Sequence, residues 1–201
     1  MNSPARRATR DDLPRIASTL GAAFSDYSWT RWTVSEHDHQ ARVAELQSIY
    51  VEHVALPHGT VWVDDEVTAV AVFVPPGLPE PPAGFRERVV ALQGDDGRTH
   101  QAMAAAAVAA RATEIPEDTR EVCSQAWVLA TVGVHPDHRG AGLGSSVIDA
   151  GLAHLEESTA SCTLQTSDER NVPFYERLGF AVTTVVEVPG GPTVWSMLRA
   201  S

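Results

Sequence analysis

The stretch from His135 to Gly144 reads HPDHRGAGLG and puts Arg139, Gly140, Gly142 and Gly144 close together. Glycine weakens strands and helices alike, so such a cluster marks a backbone that must come close to something. Before it runs the apolar, β-branched WVLATVGV, and after it the amphipathic SSVIDAGLAHLEES. The loop therefore joins a strand to a helix. The first amides of a helix have no partners within it and carry partial positive charge. Glycines let an anion reach them, and Arg139 adds a full charge, so the chemistry this loop suits is phosphate binding. A Walker loop would need lysine before its serine, and Ser145 follows Gly144 directly. A dinucleotide fingerprint starting at Gly140 would want glycine or alanine at Ser145, and an acid where the next strand ends in Gln165-Thr166. What remains is Arg139-x-x-Gly142-x-Gly144, read against the alternative of a glycine-rich turn that holds no ligand.

A second segment, NVPFYERLGF from Asn171 to Phe180, has Asn171 and Tyr175 four residues apart, on one face of a helix. Its Phe174, Tyr175, Leu178 and Phe180 also suit a core. The pairs His37-x-His39 and His135-x-x-His138 lack a cysteine or carboxylate at ligand spacing, so no metal is expected. Cys123 and Cys162 are too few for a disulfide scaffold; a bridge is not expected, and Cys162 reads as packing before a strand.

These residues need elements to hold them. A possible short strand opens the chain, followed by a helix capped by Thr9 or Asp11, with Leu13, Ile16, Leu20 and Phe24 on its apolar face. SDYSWTRWTVSEHDH reads as a connection, and a helix runs from about Asp38 to Ala55. TVWVDDEVTAVAVFV is a hairpin around Asp64–Asp65–Glu66. PPGLPEPPAGF is a loop. Residues from about Phe85 to Arg111 read as helix, with MAAAAVAAR its strongest part. CTLQT is a strand, VPFYERLG a short helix, and FAVTTVVEV and TVWSMLR a final strand pair. Helices alternate with strands in the last third, so the fold class is mixed α/β.

The 201 residues suit one domain, 1–201, and 43% hydrophobic residues is ordinary for a globular protein. A net charge of −11 argues against a nucleic-acid partner, which needs a basic face, and mildly favours cationic substrates. MNSPARRATRDD has no apolar core of a leader, and no apolar run approaches the ~18 residues of a membrane span. The expectation is a cytoplasmic protein without a membrane partner, monomeric or homodimeric.

The glycine loop resembles the pyrophosphate loop of the GNAT superfamily of acetyl-CoA-dependent N-acetyltransferases, and NVPFYERLGF resembles the segment that carries their catalytic tyrosine. The two stand in the order that family requires. ATRDDLPRIASTLGAAFSDY, TVWVDDE and VEVP extend the likeness, most closely to the puromycin N-acetyltransferases, which detoxify an antibiotic; Pro75 to Ser124 is the least similar part.

The resemblance implies a mostly antiparallel sheet with splayed central strands and acetyl-CoA as co-substrate, acting on a small-molecule amine such as an aminoacyl compound. The edge Val132–Gly133–Val134 would pair with the pantetheine arm. Arg139, Gly140, Ala141, Gly142, Leu143, Gly144 and Ser145 would hold the pyrophosphate. Asn171 would orient the cofactor arm, and Tyr175 would protonate the departing thiolate. The relatives often place a glutamate where this chain has Gln165, and an amide takes no proton. The base would then be Asp26, Glu36, Glu121 or His37, or the amine would be weakly basic and need none. Asp26, Tyr27, Trp29, Arg31 and Trp32 would build the acceptor pocket, Trp29 and Trp32 equally suiting a packing role. Two rival functions are an acyl-CoA sensor without turnover and an acetyltransferase of protein N-termini.

Overall fold

The computed structural model describes residues 5–201; residues 1–4, the start of the segment MNSPARRATRDD, lie outside them. Strand β1 (Arg6–Arg7) leads through a 3-10 turn into α1 (Leu13–Phe24). Thr9, one of the two expected caps, is the N-cap of the turn, and Asp12 rather than Asp11 closes it: its carboxylate accepts the Thr9 N–H at 2.8 Å and two bonds from Arg6, each 2.8 Å. Next come α2 (Ser28–Thr33) and α3 (His39–Tyr50), which runs through a π-type turn, Val51–Ala55, into α4 (Leu56–His58). The hairpin is β2 (Thr60–Val63) and β3 (Ala69–Val74). Then come α5 (Phe85–Ala112), α6 (Glu117–Gln125), β4 (Trp127–Val134) and α7 (Leu143–Glu156). The chain ends with β5 (Cys162–Thr166), α8 (Val172–Arg177), β6 (Ala181–Glu187) and β7 (Thr193–Arg199).

The sequence reading lacks α2 and α6 and does not show the break in α5. The connection after Phe24 contains α2, six residues long and too short to show a helical period. It is held by Thr30, whose hydroxyl donates to the Phe24 and Tyr27 carbonyls at 2.5 and 2.9 Å. The long helix α5 is broken at Gly94, whose φ of 77° and ψ of 176° lie outside the helical region. Its C-terminal half packs Ala104 with Val186, Val188 and Val194, against Trp29 and Trp32.

The hairpin turn depends on Asp64, which is 4% exposed and accepts bonds from Thr68 N, Thr68 Oγ1 and Ala69 N at 2.7–2.8 Å. Burial of a carboxylate is costly unless its oxygens find donors, and here three do. Those bonds let Val67 keep a φ of 58° while its side chain is buried in the core.

The seven strands form one sheet in the order β1-β2-β3-β4-β5-β7-β6, antiparallel except between β4 and β5. On one face α7 presents Val147, Ile148, Leu152 and Leu155 to Phe73, Leu129, Leu164 and Met197. On the other, Ile16, Leu20 and Val51 cover Val61, Val63, Val70 and Val72.

Strand β4 carries two irregularities. Val72 of β3 pairs with Thr131 while Phe73 pairs with Leu129, so Ala130 is an extra residue, a β-bulge. Side chains alternate along a strand, and the bulge resets that alternation. Trp127 and Leu129 belong to the α7 core, and so do Val132 and Val134. The second irregularity is that β4 meets β5 only at Trp127–Cys162 and Val128–Thr163, after which the two strands diverge.

Candidate active site

The divergence opens a cleft of about 1250 Å³ between β4 and β5. Its β4 wall can be derived from the hydrogen bonds. His135 N donates to Thr68 O at 2.8 Å, so the backbone groups of His135 face β3. These directions alternate in an antiparallel pair. Gly133 and Thr131 therefore also face β3, and Val132 and Val134 turn their N–H and C=O toward the side β5 has left. Gly133 lines the cleft with Val132 and Val134, but its own N–H and C=O turn to β3. It is glycine because a Cβ there would stand 2.7 Å from Leu20 Cδ2 and 2.9 Å from Ala23 Cβ, where α1 crosses the strand.

The loop into α7 supplies the next wall. Gly140 and Gly142 have φ of 82° and 76°, a backbone that costs an L-residue roughly 1–2 kcal/mol. No atom lies within 4 Å of a Cβ built on Gly140, so it is the conformation and not crowding that calls for glycine there. Gly142 caps α7, directing the first amides of that helix outward. Arg139, Gly140, Gly142, Leu143, Gly144 and Ser145 line the cleft; Ala141 is exposed and outside it. Arg139 Nη2 donates to Ala23 O at 3.2 Å, which links the loop to the last turn of α1.

The far wall comes from the end of β5 and from α8. Tyr175 stands edge-on to Phe174 and Phe180, with centroids 5.2 and 6.1 Å away. Burial pushes its phenol above the ordinary tyrosine range, and nearby Tyr27 adds to the shift, which favours the protonated form. Asn171 donates from Nδ2 to Thr166 Oγ1 at 3.2 Å, and Gln165 from Nε2 to Ser196 Oγ at 3.2 Å. Asn171, Gln165 and Tyr175 all face the cleft.

Of the residues proposed to meet an acceptor, Asp26, Tyr27 and Trp29 line the cleft. Arg31 and Trp32 do not. Trp32 stacks on His100 at 4.4 Å and 9°, its carbonyl bonded to His100 Nδ1 at 2.6 Å, so it anchors α2 to α5. Glu36, His37 and Glu121 are exposed and lie outside the lining. Sequence reasoning missed Thr131 and Gln47, which also line the cleft. Thr131 Oγ1 is buried with no hydrogen-bond partner among the described residues. Nothing local marks either residue; the bulge and the packing of α3 bring them there. Among the described residues no three His, Cys, Asp or Glu side chains gather into a metal site, and no helix is long and apolar enough to cross a membrane.

The fold and site define a class of protein with a sheet split beside a glycine-bounded helix start. The chain belongs to the acetyltransferase (GNAT) family, whose model matches residues 22–180. It is 33% identical over 85 residues to a mycothiol acetyltransferase of Propionibacterium freudenreichii, an alignment covering 40% of this chain and 26% of that protein. Among solved structures, one described as histone acetyltransferase HPA2 and related acetyltransferase from Corynebacterium glutamicum superposes with a TM-score of 0.72. It is 23% identical, over 100% of this chain and 97% of that one. A polyamine N-acetyltransferase of Drosophila melanogaster gives 0.58 at 13% identity, covering 98% and 99%. A GNAT family acetyltransferase from Brucella melitensis, solved with acetyl-CoA, gives 0.50 at 17%, covering 98% and 86%. At these identities the structural likeness speaks for the fold.

Proposed function

We propose that this protein moves an acetyl group from acetyl-CoA to the primary amine of a small molecule, with both substrates bound at once. The observation that carries the reading is the free edge of β4, where Val132 and Val134 turn unpaired backbone groups into a cleft also faced by the α7 loop and Tyr175. The residues fit the donor. An extended amide-bearing arm can pair with that edge as an added strand. The α7 amides and Arg139 suit a pyrophosphate. The donor, when bound, supplies an activated acyl thioester.

The remaining roles fall to this chain's own groups. The N–H of Val132 or Val134 would hold the carbonyl oxygen and favour the charge that develops there. Tyr175 Oη, kept protonated by burial, would give its proton to the departing sulfur. Gln165 can orient the amine or a water but cannot accept its proton. Of the carboxylates weighed from the sequence Asp26 lines the cleft, and Asp168 and Glu169 line it too. An α-amine of an aminoacyl group, with a pKa near 7.7, is already partly neutral at neutral pH, whereas a lysine, near 10.4, is not. Gln165 thus supports a weakly basic acceptor, puromycin or a related aminoacyl compound. It also favours the second reading, an acyl-CoA sensor without turnover.

The test is thiol release from acetyl-CoA with puromycin and a panel of small amines, from pH 6 to 9. Turnover is expected, falling about a hundredfold or more in Tyr175→Phe with acetyl-CoA affinity retained. Tyr175 should contribute no falling limb to the pH profile, because its ionisation lies above the ordinary tyrosine value. Acetyl-CoA binding with no turnover on any amine would favour the sensor; full activity in Tyr175→Phe would remove the proposed acid.

A further inference from the structure

The sequence points to Tyr27 as an acceptor contact, but its hydroxyl is engaged elsewhere. Tyr27 caps α2, with its ring edge-on to Phe24 at 5.3 Å and 79°. From there its side chain crosses to the opposite wall. Tyr27 Oη accepts the N–H of Ser167 at 2.5 Å and lies 3.2 Å from Thr166 Oγ1. Thr166 Oγ1 in turn receives Asn171 Nδ2 at 3.2 Å and Asp168 N at 3.4 Å. Those two donors use its lone pairs, so its own proton points to Tyr27 Oη. Ser28 Oγ completes the contact by donating to Ser167 O at 2.8 Å. Residues 27 and 28 thus hold Ser167 by both its amide and its carbonyl.

The reason such a hold matters lies in the split sheet. Pairing of β4 with β5 ends at Val128–Thr163, so the last residues of β5 lack the neighbour that sheet geometry would give them on that side. On its other side β5 stays paired with β7 as far as Thr166–Trp195, but Ser167 lies past that last pairing, and Asn171 and Tyr175 come soon after it in the chain. We infer that Tyr27 is a positioning residue: it spans the cleft mouth and fixes the β5–α8 segment that carries Asn171 and Tyr175. The inference rests on the proposed role of Tyr175 as proton donor. It also makes the α1–α2 connection and the α8 wall one mechanical unit.

Tyr27→Phe tests this, since it keeps the ring against Phe24 and removes only the hydroxyl. Amide exchange followed by NMR should show Ser167 exchanging about tenfold faster or more, with Leu164 in the paired part of β5 unchanged. The Tyr175 ring resonances should shift. In the thiol-release assay kcat should fall about tenfold, with the KM for acetyl-CoA changed by less than about twofold. The double variant Tyr27→Phe/Tyr175→Phe should be no slower than Tyr175→Phe alone, because a positioning residue has nothing left to position. Unchanged Ser167 exchange and Tyr175 resonances would overturn the inference, as would losses that multiply in the double variant. If the wild type acetylates no amine, the proposed function fails, while exchange and resonances still decide whether Tyr27 holds the wall.

Discussion

Gly151 lies in the middle of α7, where its α-carbon faces the ring of Phe73 on the central strand β3. A Cβ built there would stand 2.0 Å from Phe73 Cε2, 2.5 Å from Cζ and 2.7 Å from Cδ2. Carbon atoms in contact prefer about 3.5 Å, so Gly151→Ala requires a shift of about 1.5 Å. The ring cannot provide it. Phe73 is fully buried, packed among Leu129, Ile148 and Leu152. The helix must lift instead. Alanine favours a helix over glycine by about 1 kcal/mol, while overpacking a core costs typically 1–3 kcal/mol and occasionally more. With so large an overlap the upper end applies, leaving a net loss of about 2 kcal/mol. For a chain of this size that lowers Tm by roughly 4–8 °C. Thermal and urea unfolding would measure it, and Phe73→Leu in the same chain should recover part of the loss. A Tm that rises by a few degrees, as helix propensity alone would give, refutes the packing argument. Lifting α7 would also move the amides proposed to bind pyrophosphate, so weaker acetyl-CoA binding should accompany the lower Tm.

Asp12 is held well below the usual carboxylate range, chiefly by its hydrogen bonds from Arg6, helped by the Thr9 amide. A carboxyl depressed in the folded state adds stability above its ordinary pKa and loses it as pH falls toward the folded value. The gap in urea midpoint between wild type and Asp12→Asn should therefore be full at pH 6, begin to narrow below about pH 4 and close only in much stronger acid; a gap that does not narrow at all below pH 4 would contradict this. Burial pushes the Cys162 thiol up to about 12, while Cys123 is half-exposed. A thiol reagent at pH 8 should label Cys123 alone in the folded protein and both cysteines after unfolding. Rapid labelling of both in the native state would show that the β4–β5 junction opens.

The glycine loop and the elements around it were legible because their constraints are local. Gly140 and Gly142 adopt left-handed backbone, and the apolar spacing of β4 and α7 states what lies on either side. The same holds for Tyr175 and Asn171, four residues apart at one helix start. The hairpin, α3, β5 and the final strand pair likewise arise from alternation or helical period, each a property of a few neighbouring residues. Arg31 and Trp32, by contrast, looked like acceptor contacts only because they stand near Asp26 and Trp29 in the chain. The direction of Trp32 is set by His100, a contact 68 residues away.

The sequence by itself determined most of the strands and helices, though not α2, α6 or the break in α5, and it marked the glycine loop and the phenol on which the proposed function rests. Tertiary structure alone decided how these meet. The bulge at Ala130 resets which residues of β4 face the α7 core and which turn their backbone to the cleft, and it is a matter of register between β3 and β4 that no residue type encodes. The parting of β4 from β5 after Val128 arises in the same way, between strands joined through a helix. Tyr27 shows the limit most plainly. Its ring reads as a surface for a ligand, yet its hydroxyl accepts the N–H of Ser167, 140 residues on, a contact that exists only once the α1–α2 connection packs against the end of β5.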